Sequence, residues 1–308
     1  MGGWPLRVSP AGRALFDGSS PAALDPMLRV YLADMVRPYG VPLREDLLES
    51  GAGQSYGEMA GALLEKELPA GEPVDLLVLA FAVGDVVPGR ATASHLSSRC
   101  PGRPAAFAVC DQGIAAPFTA LRLIREYART PGCRRALLIV TEQATLHYKQ
   151  PAPAAVPTRH AAVALLCADS GPGRLATLRL RTGVGADEAA GALGETLAEL
   201  ASGAGGADST SVILGAGAAG LAGGLTDSLG GGLAAEVIAA SAGQPCTGTW
   251  WELAGRLPGW SEAGRRVLLA DYEPTLGYLC ATVIEVEAAG AAARLADGAA
   301  VPGGRRES

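Results

Sequence analysis

The stretch Phe107-Ala-Val-Cys-Asp-Gln-Gly-Ile-Ala-Ala-Pro-Phe-Thr-Ala-Leu121 decides how the rest of the chain is read. A strand-length apolar run, Ala105–Val109, meets a helix-length periodic segment, Ala116–Arg129, with only a short turn between them. The same alternation extends in both directions. Further strands are expected at Asp75–Val83, Arg135–Thr141, Ala161–Ala168, Leu175–Leu180, Ser211–Leu214, Arg266–Ala270 and Tyr278–Val286. Helices are expected at Pro26–Pro38, Tyr56–Leu68, Ala91–Ser98, Glu188–Ala201, Leu225–Ala240 and Trp250–Leu257. Apolar runs of strand length separated by helical segments are the sequence form of an α/β domain with buried, largely parallel strands.

Two segments interrupt this pattern. Gln150–Pro157 contains Pro151, Pro153 and Pro157 and can continue neither a helix nor a central strand, so a surface loop is expected there. The tail after Gly290, rich in Ala, Gly and Arg, is expected to fray. Between Ser170 and Ala207 one pattern ends and a second, similar one begins, which suggests two related α/β halves. No short-period repeat supports a solenoid.

Composition narrows the function classes. With 308 residues, 49% hydrophobic and 18% charged, the chain can bury a full core, and disorder is excluded as its main state. A formal charge of −6 leaves no electrostatic footprint for nucleic acid, whose binding requires clustered Lys and Arg. Cys100, Cys110, Cys133, Cys167, Cys246 and Cys280 lie far apart, with no CxxC pair and no Cys/His cluster at ligand spacing. No metal and no cofactor are expected, and reduced thiols in a cytoplasm are the default. The beginning Met1–Arg7 lacks the layout of a signal peptide. The long apolar tract Val212–Ala240 is glycine-rich and holds Asp227 and Glu236, which argues against a membrane helix.

The Phe107–Leu121 segment resembles the strand–elbow–helix of ketoacyl synthase III, in the thiolase superfamily. Arg134-Arg-Ala-Leu-Leu-Ile-Val-Thr-Glu142 resembles that family's next strand, which also ends in a glutamate. Upstream, Asp75–Val83 followed by Val87-Pro88 is similar to the strand and Pro-containing turn at the family's dimer interface. Downstream, Gly243-Gln-Pro-Cys-Thr-Gly-Thr249 and Arg266–Ala270 follow the family's asparagine motif and last strand pair. The resemblance covers roughly residues 70 to 286. It implies a thiolase-like fold of two related α/β halves with sheets sandwiched between helices: residues 1–170 with the elbow near 110–116, residues 171–290, and a flexible tail over 291–308.

In that family a cysteine thiolate at a helix N-terminus accepts the acyl group, while a histidine and an asparagine stabilise the enolate formed on decarboxylation. All three positions differ here. Aligned from Ala120-Leu121 the nucleophile position is Ile114, and aligned from Phe107 it is Gly113; neither side chain can attack a thioester. Gly215-Ala216 stands where the family carries Pro-His, and Gly243-Gln244-Pro245 where it carries Gly-Asn-Thr. The chain contains no asparagine, and its last histidine is His160. Asp271-Tyr-Glu-Pro-Thr-Leu-Gly277 takes the place of the family's glycine-rich loop, with a proline and bulky side chains.

The remaining candidates are each matched by a plainer explanation. Cys110, at the end of a strand, is the fallback nucleophile, needing His147 or His160 within reach, or else a small buried residue. Gln112 resembles the glutamine that replaces cysteine in chain-length-factor subunits of type II polyketide synthases, and its amide can hydrogen-bond a carbonyl; a turn residue serving its neighbours explains it equally. Gly215-Ala-Gly217-Ala-Ala-Gly220 matches GxGxxG with Glu236 beyond it, a pattern expected by chance in a chain with 42 glycines. Arg122, Arg125 and Arg129 share one helix face, which suits either an acidic carrier protein or a solvated helix end.

The expectation is therefore a non-catalytic ketoacyl-synthase-III-like subunit. Its partner would be an active homologue, in a heterodimer or heterotetramer serving fatty-acyl or polyketide natural-product biosynthesis, with acyl carrier protein as a further partner. Val87 would reach into the partner's acyl pocket. The alternative is an acyltransferase or thioesterase acting on acyl-CoA or acyl-carrier thioesters through Cys110.

Overall fold

A computed structural model describes residues 5–67, 72–149, 156–202, 210–221 and 236–288. Ten strands appear in chain order: β1 (Arg7–Phe16), β2 (Leu76–Ala80), β3 (Ala105–Val109), β4 (Arg135–Glu142), β5 (His160–Ala168), β6 (Gly173–Arg181), β7 (Thr210–Leu214), β8 (Glu236–Ala239), β9 (Arg265–Glu273) and β10 (Tyr278–Val286). The described helices are α1 (Pro26–Val36), α2 (Glu45–Glu49), α3 (Tyr56–Glu67), α4 (Thr92–Arg99), α5 (Ala116–Tyr127), α6 (Ala189–Ala201), α7 (Ala216–Leu221) and α8 (Gly248–Ala263).

The strand order β3-β2-β4-β5-β1-β6-β10-β9-β7-β8 contains one pattern twice. In the first five strands β2 lies parallel to β3 and β4, and β5 runs antiparallel to β4 and β1. In the second five, β7 lies parallel to β8 and β9, and β10 runs antiparallel to β9 and β6. The halves meet edge to edge through a short β1·β6 pairing, Arg7↔Arg174 and Val8↔Gly173.

Alternate strand residues serve opposite faces, as the two-residue period of a pleated strand requires. In β2, Leu76, Val78 and Ala80 enter a central core that also holds α5, α8 and residues of both sheets. Leu77 and Leu79 enter an outer core with α3 and α4. The second sheet repeats this: Ile213 of β7 faces the central core, while Val212 and Leu214 face α6 and α7. The result is five layers, helix–sheet–helix–sheet–helix. Phe118 of α5 and Trp250 of α8, both fully buried, meet edge to face at 5.0 Å between ring centroids. Each large side chain so buried contributes about 1.5–3 kcal/mol.

The differences from expectation have local causes. β1 was not expected, because Pro10 and Gly12 interrupt its apolar pattern; they sit at a register shift in the pairing with β5. The helix expected at Leu225–Ala240 is wrong in its described part. Residues 236–239 form β8, hydrogen-bonded alongside β7, whose backbone groups need a partner that a short apolar segment can supply. Residues 225–235 lie outside the described residues, as do 150–155 of the expected loop and the tail 291–308. Helix α8 continues through Pro258 to Ala263, beyond the end expected at Leu257, and α2 and α7 were not expected at all.

Candidate functional site

The elbow between β3 and α5 is a strained turn. Asp111 (φ +60°) and Gly113 (φ +53°) both take left-handed backbone conformations, costly for the aspartate and open to the glycine. A 3-10 turn, Gly113–Ala115, then leads into α5. Ile114 is buried, 5% exposed, and its neighbours Ala115 and Ala116 belong to the central core. Its amide donates a 3.0 Å hydrogen bond to Glu273 Oε2, from the end of β9 in the other half. Glu273 Oε1 accepts from the amide of Thr275, 3.1 Å, in its own turn.

A second glutamate performs a related task in the opposite direction. Glu142, at the end of β4, accepts from the Cys246 amide at 2.9 Å and from the Thr247 hydroxyl, at the start of α8. Gln244 is buried beside them, and its Nε2 donates to Thr247 Oγ1 at 3.2 Å. Burial pushes the Glu142 carboxyl up to about 7, against the pull of the Thr247 hydroxyl and the amides of Cys246 and Thr247.

A third carboxylate explains the glycine-rich motif. Asp271 Oδ1 accepts from the amides of Tyr272 (2.9 Å), Gly217 (3.0 Å) and Ala218 (3.2 Å). The first turn of α7, where Ala216 stands, is thus filled by the chain's own aspartate. A Cβ added at Gly215 would overlap Asp271, and one at Gly217 would overlap the Tyr272 carbonyl, so these glycines permit close packing on β9. Glu236 begins β8, accepts from Ser211 Oγ at 3.0 Å and pairs with Arg256. A dinucleotide site requires the acid at the far end of such a strand, and this one stands at the other end.

Around the ends of β4 and β9 the positions singled out by sequence therefore gather on carboxylates. Burial pushes the Asp271 carboxyl up to about 7, opposed by the three amides and aided by Glu273. Burial also pushes the Cys246 thiol well up, with Glu142 and Asp271 adding to the shift. Among the described residues no group of three or more His, Cys, Asp or Glu could hold a metal. Glu142 is legible in the sequence as a glutamate at a strand end. Asp271 and Glu273 stand in a segment that the sequence presents as a bulky loop, although an acid directly after the apolar run Val267–Ala270 is a signal for a buried carboxylate.

The other candidates lie apart from one another. Cys110 is half-buried, its thiol 3.3 Å from Asp111 Oδ2; burial and then that carboxylate push it up, away from the thiolate. His147 is buried with Nε2 2.7 Å from the Ala52 carbonyl, and His160 Nδ1 accepts from the Ala144 amide at 3.2 Å. The Gln112 amide oxygen accepts from the Thr119 hydroxyl on α5. Arg125 and Arg129 both pair with Glu126, at 3.7 and 2.7 Å, whereas Arg122 is exposed on the same helix. Val87 sits in the turn 84–89, which Asp85 holds by accepting from the amides of Tyr56 (3.0 Å) and Val87 (3.3 Å) and the Thr92 hydroxyl (3.1 Å). Beside the turn, Tyr56, Phe81, Asp85, Pro88, Thr92 and Phe107 line a cavity of about 390 Å³. Among the described residues no helix is long and apolar enough to cross a membrane.

No family model matches the chain, and no curated protein matches its sequence. Solved structures do match its architecture. One titled ChlB3, an acyltransferase, superposes with a TM-score of 0.61 at 16% identity, covering 92% of this chain and 98% of its own. The 3-oxoacyl-(acyl carrier protein) synthase III FabH from Pseudomonas aeruginosa PAO1 gives 0.60 at 18%, covering 92% and 98%. AbyA1, a tetronic acid condensing enzyme, gives 0.58 at 18%, covering 91% and 99%. The chain has the thiolase-like fold of ketoacyl synthase III.

Proposed function

We propose that this chain is a non-condensing, ketoacyl-synthase-III-like subunit that pairs with an active homologue in fatty-acyl or polyketide natural-product assembly. The observation that carries the reading is the elbow itself: Ile114 is buried there, and its amide is already bonded to Glu273. An acyl-accepting elbow needs an exposed thiol and free donors aimed at the developing oxyanion. Ala216 and Gln244 complete the degenerate set: Ala216 has no imidazole, and the Gln244 amide, one methylene longer than an asparagine's, is buried and donates to Thr247.

The biosynthetic setting is carried over from the similar structures, an acyltransferase, a tetronic acid condensing enzyme and a 3-oxoacyl-(acyl carrier protein) synthase III. In this reading Val87 lines the partner's acyl pocket, and Arg122, with Arg125 and Arg129, receives an acidic carrier protein. The Cys110 alternative is weakened by the carboxylate at 3.3 Å, which opposes thiolate formation.

Two measurements test the proposal. Incubation with acyl-CoA and acyl-carrier thioesters should leave the intact mass unchanged, and an adduct on Cys110 would overturn the non-catalytic reading. Co-expression with a homologue carrying an intact triad should give a joint peak on size exclusion. A chain that stays monomeric beside it would overturn the pairing.

A further inference from the structure

We propose that Glu273 is an intramolecular plug: an autoinhibitory contact that keeps the elbow closed, independently of the missing nucleophile. Three observations meet at this residue. Glu273 is 9% exposed, and its carboxylate spans two amides, Ile114 across the half-to-half boundary and Thr275 in its own turn. Gly113, next to Ile114, has no Cβ, and one built there would overlap the Glu273 carboxylate. Gly113 also holds a left-handed φ of +53°, which fixes the direction in which any side chain would leave the backbone.

The volume that a side chain at 113 requires, and the amide that a ligand oxygen on the elbow would use, are both taken by one carboxylate. Ile114 cannot serve instead, since its side chain is buried and its amide is the one Glu273 holds. Replacing either elbow residue by a nucleophile therefore does not open the site while Glu273 remains. Its anchorage to Thr275 keeps it in place, so the closure is built into the β9 end and the turn that follows it.

The test is a mutant cycle on the full chain, read as the midpoint of thermal unfolding, with Gly113→Ala, Glu273→Gly and the double variant. The strain of a non-glycine residue at positive φ is common to both backgrounds and cancels. Gly113→Ala should lower the midpoint by several degrees more with Glu273 present than with glycine at 273. Equal losses in the two backgrounds would overturn the plug. Glu273→Asp, one methylene shorter, provides a second background that retains a carboxylate, and Gly113→Ala should again lose less on it. Glu273→Gln, of unchanged size, should restore the full loss; a relieved clash there would overturn the steric account. The cycle uses the isolated chain and reads no partner, so a failed pairing leaves it standing, and additive losses leave the pairing untouched.

Discussion

The starts of α5 and α8 occupy equivalent places in the two halves, yet the glutamates that meet them do different things. Ile114 and Gln244 are each the fifth residue past the last paired residue of β3 and β8, Val109 and Ala239. At α8, fully buried Glu142 takes up an amide and a hydroxyl, one with each carboxylate oxygen. At α5, Glu273 takes a single elbow amide and lies against a glycine. The two acids are not equivalent by register. Counting from the last β2·β4 and β7·β9 pairs, Ala80↔Val140 and Leu214↔Ala270, Glu142 corresponds to Tyr272 and Glu273 to Gln143. The repeat thus preserves strand order and helix placement, while each half acquired its own carboxylate for its own purpose.

The largest expected effect separates the two caps. Glu142→Ala leaves the Cys246 amide and the Thr247 hydroxyl unsatisfied in a dry interior, a loss of about 3 kcal/mol in urea unfolding. Glu273→Ala should cost less, about 2 kcal/mol, since it frees the buried Ile114 amide and the Thr275 amide, the second in a part-buried turn where water can replace the carboxylate. Equal losses would erase the distinction drawn here.

Next in size is the pH dependence. Burial raises Glu142 from 4.5 and Asp271 from 3.8, each to about 7, so the folded state holds protons that the unfolded chain releases. The stability linked to these protons is present in full below about pH 4 and is lost as the pH rises through about 7. The slope is on the order of 1 kcal/mol per pH unit for each group. Urea midpoints should fall between pH 5 and 7 and level off above, and Asp271→Asn should reduce the slope. A profile rising over that window would contradict the assignment.

A smaller loss, about 1–2 kcal/mol, is expected for Ile114→Cys, which removes buried methylenes. This variant should not condense malonyl thioesters, because nucleophile, partners and loop act as a unit. Condensation by the single variant would show the α5 start to be a competent elbow. The smallest effect belongs to Gln112→Ala, which breaks only the contact with Thr119 and should cost under about 1 kcal/mol by the same unfolding assay.

Much of the frame could be read directly from the residues. The strands β2, β4, β5, β9 and β10 are apolar on both faces, and continuous apolar runs bounded by turns state their own burial. The turn between β3 and α5 is legible for the same reason, since a strand and an amphipathic helix leave little room between them. β1 and β8 were not legible. The first is interrupted by Pro10 and Gly12, and the second is four residues inside a glycine-rich tract, so both are strands through the neighbours that pair with them.

The chemistry of the site was decided mainly by tertiary structure. Sequence alone established that there is no asparagine, no histidine after His160 and no nucleophile at position 113 or 114. It could not state that Glu273 closes the elbow, because the hydrogen bond joins residues 159 apart in the chain. Nor could it show Asp271 filling the first turn of α7 behind Gly215 and Gly217. Composition and periodicity report which residues seek the interior, and that determines layers and strands. Which buried carboxylate meets which amide depends on where two strand ends converge, a property of the folded chain and not of any local stretch.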